Sequence, residues 1–250
     1  MLEGFFKENP RAALALSGGV DSAFLLWAGL CAGAEVRPYF VKTPFQPQFE
    51  LEDARRLCDE LGVELDVVEV DILTDPQVTA NPPDRCRHCK RRLFSALRER
   101  AAADGFSLLL DGTNASDDAG DRPGMQALRE LEVRSPLREC GLTKEQIREL
   151  SRQAGLFTWD KPAYACLATR VPGGRAITRA DLERVEQGEN LLSELGFRDF
   201  RLRLIADGCK LQVTEKQFSQ AWARRGDILT VLSSLFHEIM LDLRPRAASR

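Results

Sequence analysis

Ala12-Ala13-Leu14-Ala15-Leu16-Ser17-Gly18-Gly19-Val20-Asp21-Ser22 runs from an apolar stretch through a Ser/Gly turn into a helical segment at 23–31. Strand, turn and helix N-terminus in that order make an anion site. The glycines let the backbone turn tightly, and successive N–H groups and the helix dipole face the bound charge. The stretch is not a GxxxxGK[ST] loop, which reaches β- and γ-phosphates with a lysine, and no such pattern occurs in the chain. A Gly-rich βα turn with no ligand is the bland alternative; strand, turn, helix and the acid Asp21 together weigh against it.

The same rhythm continues downstream. Residues 35–40 and 64–70 read as strands, 50–61 as the helix between them, and 94–103 as the back of a further helix. An apolar strand at 107–110 ends in Asp111-Gly112-Thr113-Asn114. A helix at 143–155 opens on Thr143 with Gln146 three residues later and stops at Gly155. Strands separated by helices predict an α/β fold: a doubly wound, mostly parallel sheet with helices on both faces. Ligands bind such sheets at the carboxyl ends of the strands, where 17–22 and 111–114 both fall. After about residue 165 come a helix at 179–195, stopped by Gly196, and short strands at 200–205, 210–213 and 236–243. The expected organisation is a first domain over 1–165 and a small C-terminal α+β domain over 166–250, with a Pro/Gly-rich loop near 162–174.

Composition narrows the class. A chain of 250 residues, 44% hydrophobic and 29% charged, has the make-up of a soluble globular protein. Its apolar runs are too short to span a bilayer, and the N-terminus lacks the basic-then-apolar order of a signal peptide, so the expected compartment is the cytoplasm. A net charge of −3, with arginines interleaved among acids, gives no global attraction to nucleic acid.

Seven cysteines, an odd number, argue against a disulfide framework. Cys31 and Cys58 fall in amphipathic helices beside Leu and Ala, where buried, inert thiols are expected, and Cys140 and Cys209 lie in turn-like surroundings with no assigned role. Cys86 and Cys89 form a CxxC at the entry of a helix, in Asn81-Pro-Pro-Asp-Arg-Cys-Arg-His-Cys-Lys-Arg-Arg92. A thioredoxin-type pair lacks its usual context here, and zinc needs further ligands. With distant Cys166, three thiolates would suit an iron–sulfur cluster with one open iron. Two helix-start thiols of no consequence are the remaining reading. Arg85, Arg87, Lys90 and Arg91 favour the thiolate form. Cys166 itself lies between Lys161 and Arg170 in a loop, as a candidate nucleophile or ligand.

Taken together, these pieces resemble a family. S-G-G-x-D-S at 17–22 is similar to the pyrophosphate loop of the ATP pyrophosphatase superfamily, whose members split ATP into AMP and pyrophosphate. Adding R-C-x-x-C-K at 85–90, D-G-T-N at 111–114, Arg122-Pro-Gly within 118–124, A-C-L-A-T-R-x-P at 165–172 and R-x-R at 201–203, nearly the whole chain resembles the LarE group of ATP-dependent sulfur transferases. That group converts carboxylates of pyridinium-3,5-biscarboxylic acid mononucleotide to thiocarboxylates for the nickel-pincer nucleotide of lactate racemase. The resemblance implies that Ser17, Gly18, Gly19, Val20, Asp21 and Ser22 hold the pyrophosphate of ATP, with Asp21 near Mg²⁺. Gly112, Thr113 and Asn114 would meet the nucleotide. Arg201 and Arg203 would hold a substrate phosphate, with Arg122 and Arg170 also placed at the substrate, and Glu130 matches an active-site glutamate. A solvated basic strand face and an exposed helix glutamate are the plain alternatives for Arg201/Arg203 and Glu130. Arg170 could instead pair with a nearby acid.

Two sulfur sources occur in that group. In one, the cysteine matching Cys166 gives up its own sulfur; in the other, three cysteines hold a 4Fe–4S cluster that delivers an extra sulfide. Cys86, Cys89 and Cys166 together resemble the second. The implied partners are a small nucleotide substrate, a sulfide or cysteine-desulfurase sulfur source, and further copies of the chain in a homo-oligomer. A Gly-aromatic-Arg-Ser-Gly segment that often follows the last strand in this group is replaced here by Arg244-Pro-Arg-Ala-Ala-Ser-Arg250. Rival readings are a tRNA thiolation enzyme of the same superfamily, an ammonia-using ligase similar to NAD synthetase, and a non-enzymatic nucleotide- or metal-binding module.

Overall fold

A computed structural model describes residues 2–117 and 123–247. In chain order it contains α1 (Leu2–Glu8), β1 (Arg11–Ala15), α2 (Val20–Cys31), β2 (Glu35–Lys42), α3 (Gln48–Leu61) and β3 (Asp66–Glu69). Then come α4 (Pro76–Thr79), α5 (Arg85–Ala103), β4 (Leu109–Leu110), α6 (Pro123–Glu130), α7 (Pro136–Glu139) and α8 (Lys144–Gln153). The remainder is α9 (Arg179–Glu194), β5 (Phe200–Leu204), β6 (Gly208–Val213), α10 (Glu215–Ala223), α11 (Arg225–Leu232) and β7 (Glu238–Leu241). Two compact units form, one from Met1–Ile72 with Asp84–Lys161, the other from Leu73–Pro83 with Pro162–Arg250.

The first unit is the α/β fold that the strand–helix rhythm predicts. Its four strands are parallel in the order β3-β2-β1-β4. Alternation along β1 sends Ala12 and Leu14 to a core shared with Phe24 and Leu25 of α2, Leu51 of α3 and Ile147 of α8. Ala13 faces the other way, toward Leu97 and Ala101 of α5. With apolar side chains required on both faces, β1 reads as a continuous apolar run. Thr143 caps α8 in the reciprocal box its sequence predicts, accepting from the Gln146 N–H at 3.3 Å while Gln146 accepts from the Thr143 N–H at 2.9 Å. Because β2 lies on one side of β1 and β4 on the other, the chain reverses its winding at β1. The loops that leave β1 and β4 therefore sit side by side at the topological switch point.

The second unit has a three-stranded sheet, order β5-β6-β7, with β5 antiparallel to β6 and β6 parallel to β7. A parallel pair needs a crossover, which α10 and α11 supply; neither helix was anticipated from sequence. Residues 73–83, expected in the first domain, take their partners in this unit. Asn81 Nδ2 donates to the Pro172 carbonyl at 2.8 Å, the Gly174 N–H donates to the Asn81 carbonyl at 3.1 Å, and the Ile177 N–H donates to the Thr79 carbonyl at 2.8 Å. Of the two helix cysteines expected to be buried, Cys58 of α3 is, whereas Cys31, the last residue of α2, is exposed. Among the described residues, no helix is long and apolar enough to cross a membrane.

Candidate active site

The turn after β1 is closed by its own serines. The Ser17 N–H donates to Ser22 Oγ at 3.1 Å, the two hydroxyls lie 3.0 Å apart, and the Gly19 N–H donates to Ser17 Oγ at 3.4 Å. Gly18 has φ +71°, and a Cβ there would lie 2.5 Å from the Glu50 carbonyl oxygen, so both conformation and space require glycine. Gly19 is the N-cap of α2 and offers no side chain to its first-turn N–H groups, which suits a bound anion.

Asp21 stands in that first turn. Its Oδ2 accepts from Lys144 Nζ at 2.6 Å, while Oδ1 is buried without a hydrogen-bond partner among the described residues. Burial raises the carboxyl pKa above its ordinary value, and the Lys144 ammonium only partly offsets this. A buried carboxylate oxygen left unmatched is costly unless a ligand completes it, and a hard cation such as Mg²⁺ is a fitting one.

The loop after β4 comes against the same turn. A Cβ on Gly112 would lie 2.8 Å from the Ser22 nitrogen and 3.1 Å from its Cα. Asp111 accepts from Ser135 Oγ at 2.6 Å and from Thr113 Oγ1 at 2.5 Å. Asn114 is buried; its Oδ1 accepts from the Ser116 N–H at 2.8 Å and its own N–H donates to Asp117 at 2.9 Å. Asn114 thus shapes the loop, while Gly112 makes the close approach.

Two lysines at this turn were not singled out as site residues. Lys144 occupies the first position of α8, where a cation opposes the helix dipole; that misplacement was the available signal. Lys161 donates to the Gly18 carbonyl at 2.8 Å and pairs with Asp53.

Cys86 and Cys89 are the second and fifth residues of α5, three residues apart and so on one side of the helix. Cys86 is exposed, with Arg85 Nη2 at 3.8 Å from its sulfur, and Cys89 is half-buried. Between them, His88 contacts Asp84 at 3.1 Å and Arg87 pairs with Glu130 at 2.7 Å. Glu130 is therefore an exposed residue of α6 bound to the CxxC segment. Arg122 lies outside the described residues. Among the described residues, no three His, Cys, Asp or Glu side chains gather in a metal-holding group.

In the second unit, half-buried Cys166 precedes a short 3₁₀ turn, Leu167–Arg170. Its carbonyl accepts from the Thr169 N–H at 3.0 Å and from Thr169 Oγ1 at 2.8 Å. Arg170, only 1% exposed, grips Glu189 with two bonds of 2.8 and 3.1 Å and donates to the Ala165 carbonyl at 2.8 Å. Glu189 also accepts from the Leu202 N–H at 2.9 Å and from the Tyr164 hydroxyl. Arg170 thus takes the acid-pairing alternative.

Arg201 and Arg203 reach the Cys166 loop from one face of β5, as their spacing predicts. Arg201 donates to the Ala163 carbonyl at 2.5 Å and Arg203 to the Thr169 carbonyl at 2.7 Å. Burial, and then the Arg170 charge, push both guanidinium pKa values down, the mark of crowded cations that an anion would relieve. The Tyr164 ring lies 4.5 Å from the Arg170 guanidinium and 5.1 Å from that of Arg201. Neither Glu189 nor Tyr164 stood out in the sequence, because an acid inside a charged helix and a lone loop tyrosine carry no spacing signal.

No protein-family model matches the chain. It is 36% identical over 220 residues to an uncharacterized protein of Synechocystis sp., covering 88% of this chain and 82% of that one. A tRNA-specific 2-thiouridylase MnmA of Thermotoga maritima is 27% identical over 193 residues, covering 60% of this chain and 54% of the relative. The pyridinium-3,5-bisthiocarboxylic acid mononucleotide synthase of Lactiplantibacillus plantarum is 30% identical over 240 residues, 95% of this chain and 87% of its own. With the Gly-rich turn and Asp111 loop at the switch point of a parallel sheet, and likeness to that synthase along nearly its whole length, the chain belongs to the LarE family of pyridinium-3,5-bisthiocarboxylic acid mononucleotide synthases.

Proposed function

We propose that the protein is an ATP-dependent sulfur transferase acting on a carboxylate of pyridinium-3,5-biscarboxylic acid mononucleotide. The buried Oδ1 of Asp21, without a hydrogen-bond partner among the described residues and beside an uncapped, Gly-rich helix N-terminus, is the observation that carries the ATP-using part of this reading. A carboxylate is a poor acyl donor because its oxygen leaves badly. Its attack on the ATP α-phosphate expels pyrophosphate and forms an acyl adenylate; sulfur then adds to the carbonyl carbon and AMP departs. The Ser17, Gly18, Gly19, Val20, Asp21 and Ser22 turn would receive the pyrophosphate, and Asp21 would hold Mg²⁺, which when bound neutralises phosphate charge. Gly112 and Thr113 would border the nucleotide, and Arg201 and Arg203 would clamp the substrate phosphate.

The cysteines give the sulfur chemistry. Cys86, Cys89 and Cys166 have the soft sulfur donors that would hold a 4Fe–4S cluster, and such a cluster, when bound, would supply an iron position open to sulfide. Iron and acid-labile sulfide per chain after anaerobic purification, with AMP and pyrophosphate release, test the reading. About four irons with matching sulfide, and loss of sulfur transfer in each of Cys86→Ala, Cys89→Ala and Cys166→Ala, are expected. Loss in Cys166→Ala alone would assign Cys166 as the consumed sulfur donor. Normal pyrophosphate release by Asp21→Ala would refute the assignment of the loop.

A further inference from the structure

The Gly18–Gly19 peptide is the least restrained unit of the anion-binding turn, because glycine on both sides removes the steric barrier to its rotation. Its orientation matters. In a trans peptide the C=O and N–H point in opposite directions, so a flip would replace a donor facing the phosphate with a carbonyl oxygen that repels it. Contacts on both sides of the peptide oppose the flip: Lys161 Nζ donates to the Gly18 carbonyl at 2.8 Å, and the Gly19 N–H donates to Ser17 Oγ at 3.4 Å.

The lysine is itself held from several sides. Its ammonium pairs with Asp53 of α3 and lies 5.2 Å from the centre of the Phe49 ring. Its backbone is fixed by Arg148 of α8, whose guanidinium donates to the Trp159 carbonyl at 2.6 Å and to the Lys161 carbonyl at 2.8 Å. A lysine paired with a carboxylate and aimed at a loop carbonyl has a different role from a lysine aimed at phosphate.

We infer that Lys161 is a positioning residue: with Asp53, it locks the Gly18–Gly19 peptide with the N–H side toward the incoming pyrophosphate. This rests on reading the turn as a pyrophosphate site. The test is titration calorimetry of the full chain with Mg²⁺ and inorganic pyrophosphate, alongside hydrogen exchange of the 17–20 amides in the free protein. Lys161→Met should weaken pyrophosphate binding about tenfold or more, equivalent to about 1.4 kcal/mol, and speed exchange in the turn. Lys161→Arg should restore most of the binding, and Asp53→Asn should fall between; these two variants carry the test if Lys161→Met does not fold. Wild-type protein that binds while both Lys161→Met and Asp53→Asn match it overturns the inference alone. Wild-type protein that binds no pyrophosphate overturns the reading of the site and the inference with it.

Discussion

Gly112→Ala would place a methyl 2.8 Å from the Ser22 nitrogen, 3.1 Å from its Cα and 3.3 Å from the Asp21 carbonyl carbon. All three atoms belong to the backbone of the first turn of α2, so no side chain can swing aside. Ordinary van der Waals contact begins near 3.4 Å, so the loop after β4 and the helix start must part by about 0.6 Å. Overpacking of this kind costs about 1–3 kcal/mol, which for a chain of this size lowers the melting temperature by about 2–12 °C. The same displacement moves the first-turn N–H groups of α2 and Asp21, and misplacement approaching 1 Å costs about 10²-fold in a site that depends on geometry. Titration with Mg²⁺ and ATP should therefore show about tenfold weaker binding, with melting followed by circular dichroism. Gly226→Ala is the control: it lies in α11 with open space around it, and should leave binding unchanged while adding about 0.5–1 kcal/mol of stability. If Gly112→Ala melts and binds like the wild type, the two loops do not abut in the way argued.

Three further outcomes follow from the same structure. Glu189→Ala strands the buried Arg170 guanidinium and should cost about 3–5 kcal/mol in denaturant unfolding, whereas adding Arg170→Met should recover part of it; a double variant no better than the single would refute the pairing. Burial pushes the Cys58 and Cys209 thiols up to about 12, so both should resist alkylation at pH 8 in the native protein while exposed Cys31 and Cys86 react; mass spectrometry of labelled peptides decides it. Because burial raises the Asp21 carboxyl above its ordinary 3.8, its contribution to stability is greatest below that pH and declines as pH rises through the raised value. The melting temperature of wild type minus that of Asp21→Asn should therefore fall from pH 3.5 toward neutrality; a rise would reverse the sign of the argument.

The first unit was legible because parallel strands buried on both faces leave continuous apolar runs, and because capping residues such as Thr143 and Gln146 mark helix ends locally. The turn at 17–22 and the loop at 111–114 could be placed together from the rule that ligands gather at strand ends. Lys144 offered only its misplaced charge at the start of α8 and Lys161 no signal, since their partners Asp21 and Gly18 lie 123 and 143 residues away in sequence. Glu189 escaped for the same reason: its burial follows from Arg170 and Leu202, not from its own helix. The crossover helices α10 and α11 escaped because exposed Trp222 and Leu229 blur the amphipathic pattern.

The route of the chain has a practical bearing on dissecting the protein. Residues 73–83 leave the first unit, bond to 171–177 through Asn81 and Thr79, and return before α5 begins. A stop codon after Lys161 would not release an intact first unit. It would remove the Val171 and Pro172 carbonyls that accept from the buried Asn81 amide, and the Gly174 and Ile177 N–H groups that bond the strap leading into Cys86. Expressing 162–250 alone would remove the same strap from its own unit. Fragments cut at the obvious boundary would thus fail by misfolding, and their inactivity would carry no information about catalysis. Single-residue variants of the whole chain are the tool this topology permits.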